Sequence, residues 1–214
     1  MATICPTVTA FEPHQYREQM ERVARFAERI HIDLMDGEFA PTQSPDLLQI
    51  WWPYDTVADI HLMYQRPMDH LQQLIKLKPH MVIVHNEADV HHMHFAAELH
   101  RHDIKTGLAI LHDTPIEWAL QIMHSFDQIL IFSGNLGHHG GEADLGLLEK
   151  VRFVRQHHPE AEVAWDGGIS EHNAKALTDA GVQVLNVGGY IQKSSDPEGA
   201  YDRLKTLAGT DKET

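Results

Sequence analysis

Apolar residues in this chain gather in short runs. Each run is followed by a polar turn and then by a stretch whose apolar positions recur every three or four residues. Runs of this kind read as buried strands, and the longer period reads as helix. In order, the strand candidates are "ATICPTV", "RIHIDLM", "TVADIHLM", "HMVIVHN", "IKTGLAIL", "QILIFS", "EVAWDG" and "VQVLNVG". Amphipathic segments between them, "QYREQMERVARFAERI", "MDHLQQLIKLK", "FAAELHRHD", "LGLLEKVRFVRQHH" and "HNAKALTDAG", predict helices. Gly181 supplies a helix stop, and the "TP" and "SP" pairs mark helix starts. Eight strand–helix repeats within 214 residues predict one α/β domain over 1–214, a (β/α)8 TIM barrel. An open doubly wound sheet is disfavoured, because no G-x-G-x-x-G follows the first strand. The final "GTDKET" reads as a frayed tail.

A barrel of this kind carries its chemistry at the C-terminal ends of its strands. His31 and Asp33 fall late in the second run, His61 late in the third, and His85 and Glu87 at the end of the fourth. Asp166 ends the seventh, before Gly167 and Gly168, while Gly188 and Gly189 end the eighth. Period two places His31, Asp33 and Met35 on one face of their strand, and Asp59, His61 and Met63 on one face of theirs. Both faces are expected to point into the barrel mouth. Two imidazoles and two carboxylates, from His31, Asp33, His61 and Asp166, form an N₂O₂ set suited to one divalent ion: Zn, Mn, Fe or Co. Asp33 and Asp166 would approach from nearly opposite sides of the ring. Such a pair can take a proton from one face of a small substrate and return one to the other. Each residue alone has a plainer reading, since strand histidines are usually interior packing and Asp before Gly-Gly is often a turn. Four ligand types at compatible strand ends together favour a site. Asp36 and Gly37 fit the turn after the second strand.

A formal charge of −14 with no basic patch argues against nucleic acid as a partner. It leaves room for a small phosphorylated metabolite, since backbone N–H groups can hold phosphate. No apolar run reaches the roughly 18 residues of a membrane span, and the N-terminus shows no signal-peptide pattern. Cys5, the single cysteine, fits a buried thiol and a reducing cytoplasm.

The ordered motifs "HIDLMDGEFAP", "DIHLM", "VIVHNEA", "GLAI", "WDGGI" and "VLNVGGYI" resemble the ribulose-phosphate 3-epimerase family from about residue 4 to about residue 205. The resemblance implies a TIM barrel of the ribulose-phosphate-binding type, a divalent metal, and interconversion of ribulose 5-phosphate and xylulose 5-phosphate at C3. It also implies a homo-oligomer, from dimer upward. It carries the metal ligands onto His31, Asp33, His61 and Asp166, and the acid/base pair onto Asp33 and Asp166. Methionines over the metal fall on Met35 and Met63, with Phe132 where a third would stand. Thr7 takes the place of a serine after the first strand's proline.

The chain departs from this pattern after the sixth strand. The family's Pro-Gly-aromatic-Gly-Gly-Gln loop, which closes over phosphate, is replaced by "SGNLGHHGGEADLG" at 133–146. Gly140 and Gly141 remain, and His138 and His139 enter the loop. Gly168, Gly188 and Gly189 keep the backbone donors expected around a phosphate. The altered loop admits two alternatives, an epimerase of a longer ketose phosphate such as allulose 6-phosphate, and a non-catalytic metal-binding barrel. A phosphate-binding lyase is disfavoured, because the Asp-x-Lys-x-x-Asp pattern is absent. "HHMH" at 91–94 reads as a solvated helix start, and "IWWPY" at 50–54 as a subunit contact or packing on the second helix.

Overall fold

The computed structural model describes residues 2–138 and 140–209. Its strands are β1 (Thr3–Thr9), β2 (Arg29–Met35), β3 (Val57–Met63), β4 (Met81–His85), β5 (Lys105–Ile110), β6 (Gln128–Phe132), β7 (Glu162–Asp166) and β8 (Val184–Val187). All pair in parallel and in chain order, and β8 returns to β1 to close a barrel. Around it lie α1 (Pro13–Val23), α2 (Leu71–Leu77), α3 (His92–His100), α4 (Leu148–His157), α5 (Ala174–Asp179), α6 (Gly189–Gln192) and α7 (Pro197–Leu207). The expected TIM barrel is the observed one. None of these helices is long and apolar enough to cross a membrane.

The regular βα alternation breaks in two places. Among the described residues, no helix stands between β2 and β3, and only two short 3₁₀ turns, Ile116–Ala119 and Met123–Ser125, join β5 to β6. After β2 the chain turns on Asp36, whose Oδ1 accepts the backbone N–H groups of Glu38 and Phe39, each at 2.8 Å. It then folds back so that Ser44 bonds Met35 through both backbone and side chain. Ser44-Pro45 therefore opens no helix, contrary to expectation. The "IWWPY" stretch meets α1: the Tyr16 hydroxyl donates to the Trp51 carbonyl at 2.6 Å, and the two rings pack edge on.

Helix ends also moved. The segment expected as helix through Ile30 stops at Val23, because Arg29 and Ile30 satisfy their backbones by pairing with Val57 and Ala58 of β3. Gly181 is the stop foreseen for α5, with φ +104 just past the Ala180 cap. At "HHMH", the His91 ring caps α3 by accepting from the His94 N–H, while His92 turns inward and donates to the His85 carbonyl at 2.9 Å.

Alternation along the strands sorts the side chains into an outer and an inner set. Ile30, Ile32 and Leu34 of β2, with Ala58, Ile60 and Leu62 of β3, pack outward in the main core under the helices. Inside the barrel, Cys5, Ile83, Ala109, Leu130, Ala164 and Val184 form an apolar middle layer. Burial pushes the Cys5 thiol well above its ordinary value, consistent with a packing role. Below that layer lies a charged floor, where Arg29 bonds Asp59 at 2.7 Å and grips both oxygens of Glu162 at 3.0 and 2.9 Å. Asp59 thus belongs to the floor, not the mouth. Two residues of strand, about 6.6 Å, separate it from His61.

Candidate active site

Above the middle layer, the strand ends deliver a polar ring. Register pairs Thr7 with His31, Asp33 with His61, and Asp166 with Asn186, so these side chains stand at nearby levels around the mouth. His31, Asp33, His61 and Asp166 are all buried, and one ligand atom from each lies within 4.8 Å of the others. His31 Nε2 is 3.2 Å from Asp33 Oδ1 and 3.6 Å from Asp166 Oδ2. His61 Nδ1 is 3.0 Å from the same Asp33 oxygen and 3.7 Å from the same Asp166 oxygen. The two ring nitrogens themselves approach to 3.3 Å.

This is a donor set short of positive charge. Among the described residues, the side-chain partners of Asp33 and Asp166 are His31, His61 and Thr9, with neither a lysine nor an arginine. Burial works against the charged form of His31, yet hydrogen bonds to Asp166 and Asp33 outweigh it and push the ring up to about 10. Burial likewise opposes the Asp33 charge, but His31 and His61 hold its carboxyl far below the usual range. Protons thus take the place where a divalent cation fits, and the N₂O₂ donors suit such an ion.

Three further residues organise the cluster. Thr9 Oγ1 donates to Asp33 Oδ2 at 2.7 Å, leaving Oδ1 directed at the imidazoles. His85 is fully buried and lies 2.9 Å, nitrogen to nitrogen, from His61 Nε2. Burial lowers His85 to about 4, so the ring is neutral and carries one proton. Glu87 Oε2 stands 3.6 Å from His85 Nδ1, beyond hydrogen-bond reach. His61 thus spans the cluster, with Nε2 against His85 and Nδ1 against Asp33 Oδ1 at 3.0 Å. Thr9 and His85 carry a legible signal, since each is a polar residue on the inward face of a strand end. Asn186, in a run of apolar residues, could be recognised only by its register beside Asp166.

Over the cluster opens a cavity of about 490 Å³. Thr7, Asp33, Met63, Gly140, Gly141, Asp166, Gly168, Gly188 and Gly189 line it, as does Phe132. Met35 does not: it is buried with Met63 and Ala40, and its sulfur accepts from Thr42 Oγ1 at 3.2 Å. His138 lines the cavity, whereas His139 lies outside the described residues. Glu142, Asn173, Asn186 and Lys193 are lining residues that the motifs did not single out.

The altered loop is fixed at both ends. The Ser133 N–H donates to the Asp166 carbonyl at 2.7 Å, and Ser133 Oγ accepts from the Asp144 N–H at 2.8 Å. Gly167 and Gly168 have φ +109 and +68. A Cβ on either would run into the backbone of Gly134 or of Glu142 and Ala143, so only glycine lets the two loops lie back to back.

Residues 3–192 match the model of the ribulose-phosphate 3 epimerase family. A ribulose-phosphate 3-epimerase of Schizosaccharomyces pombe is 26% identical, with 100% of this chain and 96% of the relative aligned. That of Helicobacter pylori is 27% identical over 95% and 97% of the two chains, and that of Chlamydia muridarum 30% identical over 78% and 77%. Among solved structures, KGPDC of Streptococcus mutans superposes with a TM-score of 0.74 at 12% identity, covering 98% of each chain, a likeness of fold alone. Barrel closure, the strand-end cluster and the match along nearly the whole length agree, and the chain belongs to the ribulose-phosphate 3 epimerase family, a family of carbohydrate epimerases.

Proposed function

We propose that this protein interconverts ribulose 5-phosphate and xylulose 5-phosphate by moving protons through Asp33 and Asp166. The convergence of these two carboxylates on one buried centre, from strands three places apart around the ring, carries the reading. In the forward direction one carboxylate removes the C3 proton, and the C3–H electron pair moves into a C2–C3 double bond. Negative charge then develops on the C2 oxygen of the enediolate. The other aspartate, protonated, returns a hydrogen to the opposite face of C3, which inverts that centre and leaves the two aspartates with exchanged proton states. His31, Asp33, His61 and Asp166 would hold a divalent ion (Zn, Mn, Fe or Co), which when bound offsets the charge developing on the sugar oxygens. Thr9 orients Asp33, and His85 packs against His61 with its Nε2 2.9 Å from His61 Nε2.

Of the cavity's lining residues, Gly140, Gly141, Gly168, Gly188 and Gly189 offer backbone to a phosphate, and Lys193 offers a cation. Glu142 in the same wall places a carboxylate where the family pattern has glutamine. That substitution favours, as a second reading, a longer ketose phosphate such as allulose 6-phosphate, whose phosphate would sit elsewhere. Turnover of both sugars by the metal-loaded protein in ²H₂O decides between them. Deuterium at C3 of ribulose and xylulose 5-phosphates supports the first, and preference for the hexulose phosphate supports the second. No deuterium in either ketose refutes both and leaves a non-catalytic barrel. The same reading takes the working form to be a homo-oligomer, for which exposed Leu48, Trp51 and Tyr54 offer an apolar face and sedimentation is the test.

A further inference from the structure

One buried polar group has no task in the proton transfers. Asn186 is 2% exposed, and neither its amide nitrogen nor its amide oxygen has a hydrogen-bond partner. Its strand neighbours Leu185 and Val187 pack outward in the main core, which leaves Asn186 on the inward face. There it is paired in register with Asp166 on one side and Cys5 on the other. Two residues beyond Cys5 on the same face of β1, the Thr7 hydroxyl is also buried and without a partner. Both residues line the cavity that Asp33 and Asp166 line.

An unpaired buried amide is costly, and a protein keeps one where something else completes its bonds. An amide offers both donor and acceptor. Phosphate oxygens only accept and a cation takes only the oxygen, whereas a sugar hydroxyl, like water, both donates and accepts and so uses the whole group. We propose that Asn186 is a substrate-binding residue for a polyhydroxy ketone, holding a hydroxyl of the sugar carbon chain beside Asp166, with Thr7 Oγ1 bonding the chain on the same side. This rests on the epimerase reading above and deepens it. Recognition through the sugar's own hydroxyls makes discrimination between ketoses depend on β1 and β8 as well as on the phosphate loop.

Asn186→Leu, close in size and without polar atoms, tests the assignment. With ribulose 5-phosphate as probe, kcat/KM should fall about 10- to 100-fold, the worth of one or two hydrogen bonds to substrate. Co²⁺ affinity should hold, and the melting temperature of the ligand-free protein should hold or rise, since an unpaired amide has been removed. If kcat/KM stays within about twofold of wild type, the proposal is overturned. A fall in melting temperature with kcat/KM retained would overturn it too, because that is the signature of an amide bonded to internal water for structure. Should the leucine variant not fold, Asn186→Ser carries the test, with an intermediate loss expected and an unchanged kcat/KM against the proposal. Wild-type protein that binds Co²⁺ but turns over no ribulose 5-phosphate would instead overturn the epimerase reading, and this inference with it.

Discussion

The barrel holds two charged clusters, one at each end of the same three strands. Arg29 and Asp59 start the floor on β2 and β3, Glu162 joins from β7, and His31, Asp33, His61 and Asp166 stand at the other ends of those strands. The floor contains its own cation. Arg29 meets two carboxylates, Gln128 adds a bond of 2.7 Å to Glu162, and the guanidinium fork makes a bidentate pair of fixed geometry. The mouth sets two carboxylates against two imidazoles and leaves the charge to be balanced from outside. Buried ionic clusters with a covalently supplied counter-charge serve the fold. Those lacking one suit a ligand that brings the missing charge.

The comparison can be broken most severely at the mouth. Asp166→Asn should lower epimerisation by about 10³- to 10⁴-fold, because it removes a proton carrier. Its melting temperature should not fall, since one of two facing carboxylates is gone. Deuterium wash-in and a thermal scan on the same sample check both halves, and a variant that melts early with turnover retained would reverse the assignment. At the floor the roles exchange: Arg29→Met should cost about 3–5 kcal/mol of stability in urea unfolding by stranding buried carboxylates, while activity per folded molecule is unchanged.

A smaller effect separates the cluster from its support. His85→Phe keeps the ring against His61 and Phe132 but removes the nitrogen that meets His61 Nε2, and should weaken Co²⁺ binding by about 10- to 100-fold. His85→Gln, which restores a polar partner, should recover part of that loss, with altered Co²⁺ absorption bands reporting the same change without turnover. The smallest expected effect is in pH. Burial disfavours the Glu162 charge but the Arg29 hydrogen bonds prevail, so its carboxyl lies below the usual 4.5. The stability it contributes is present above that value and is lost as pH falls through the lowered one. Asp59 is raised by burial in spite of Arg29, and it works in the opposite sense. The penalty of Arg29→Met should therefore be smaller at pH 3 than at pH 7. A constant penalty across that range would remove Glu162 from the account.

Strands were the most legible part of the chain. "RIHIDLM" is β2 residue for residue, because a strand buried on both faces leaves an unbroken apolar run that only its inward polar residues interrupt. Helices were less so: the apolar period through Ile30 belongs to α1 only as far as Val23, and after a turn Arg29 and Ile30 pair with β3 instead. The connection from β2 to β3 has enough residues for a helix and forms none, since Asp36 and Ser44 bind the backbone into turns. At the site, His31, Asp33, His61 and Asp166 could be picked out by residue type and position in the strand. Met35 fitted the same face but is buried with Met63 and Ala40 and does not line the cavity, and Asp59 fitted it but lies one level too low.

Period and strand-end chemistry pointed to the barrel and to His31, Asp33, His61 and Asp166 as candidates, and the ordered motifs to the family, because residue type and position along each strand are local. Which polar residues share a level was decided only when eight strands closed with their particular register. Closure set Asn186 beside Asp166, His85 behind His61 and Arg29 beneath them all, and it left the backbone of 133–146 lying on Gly167 and Gly168. The physical reason is that hydrogen-bond partners and counter-charges come from other strands and other loops, whose distance in sequence carries no record of their distance in space.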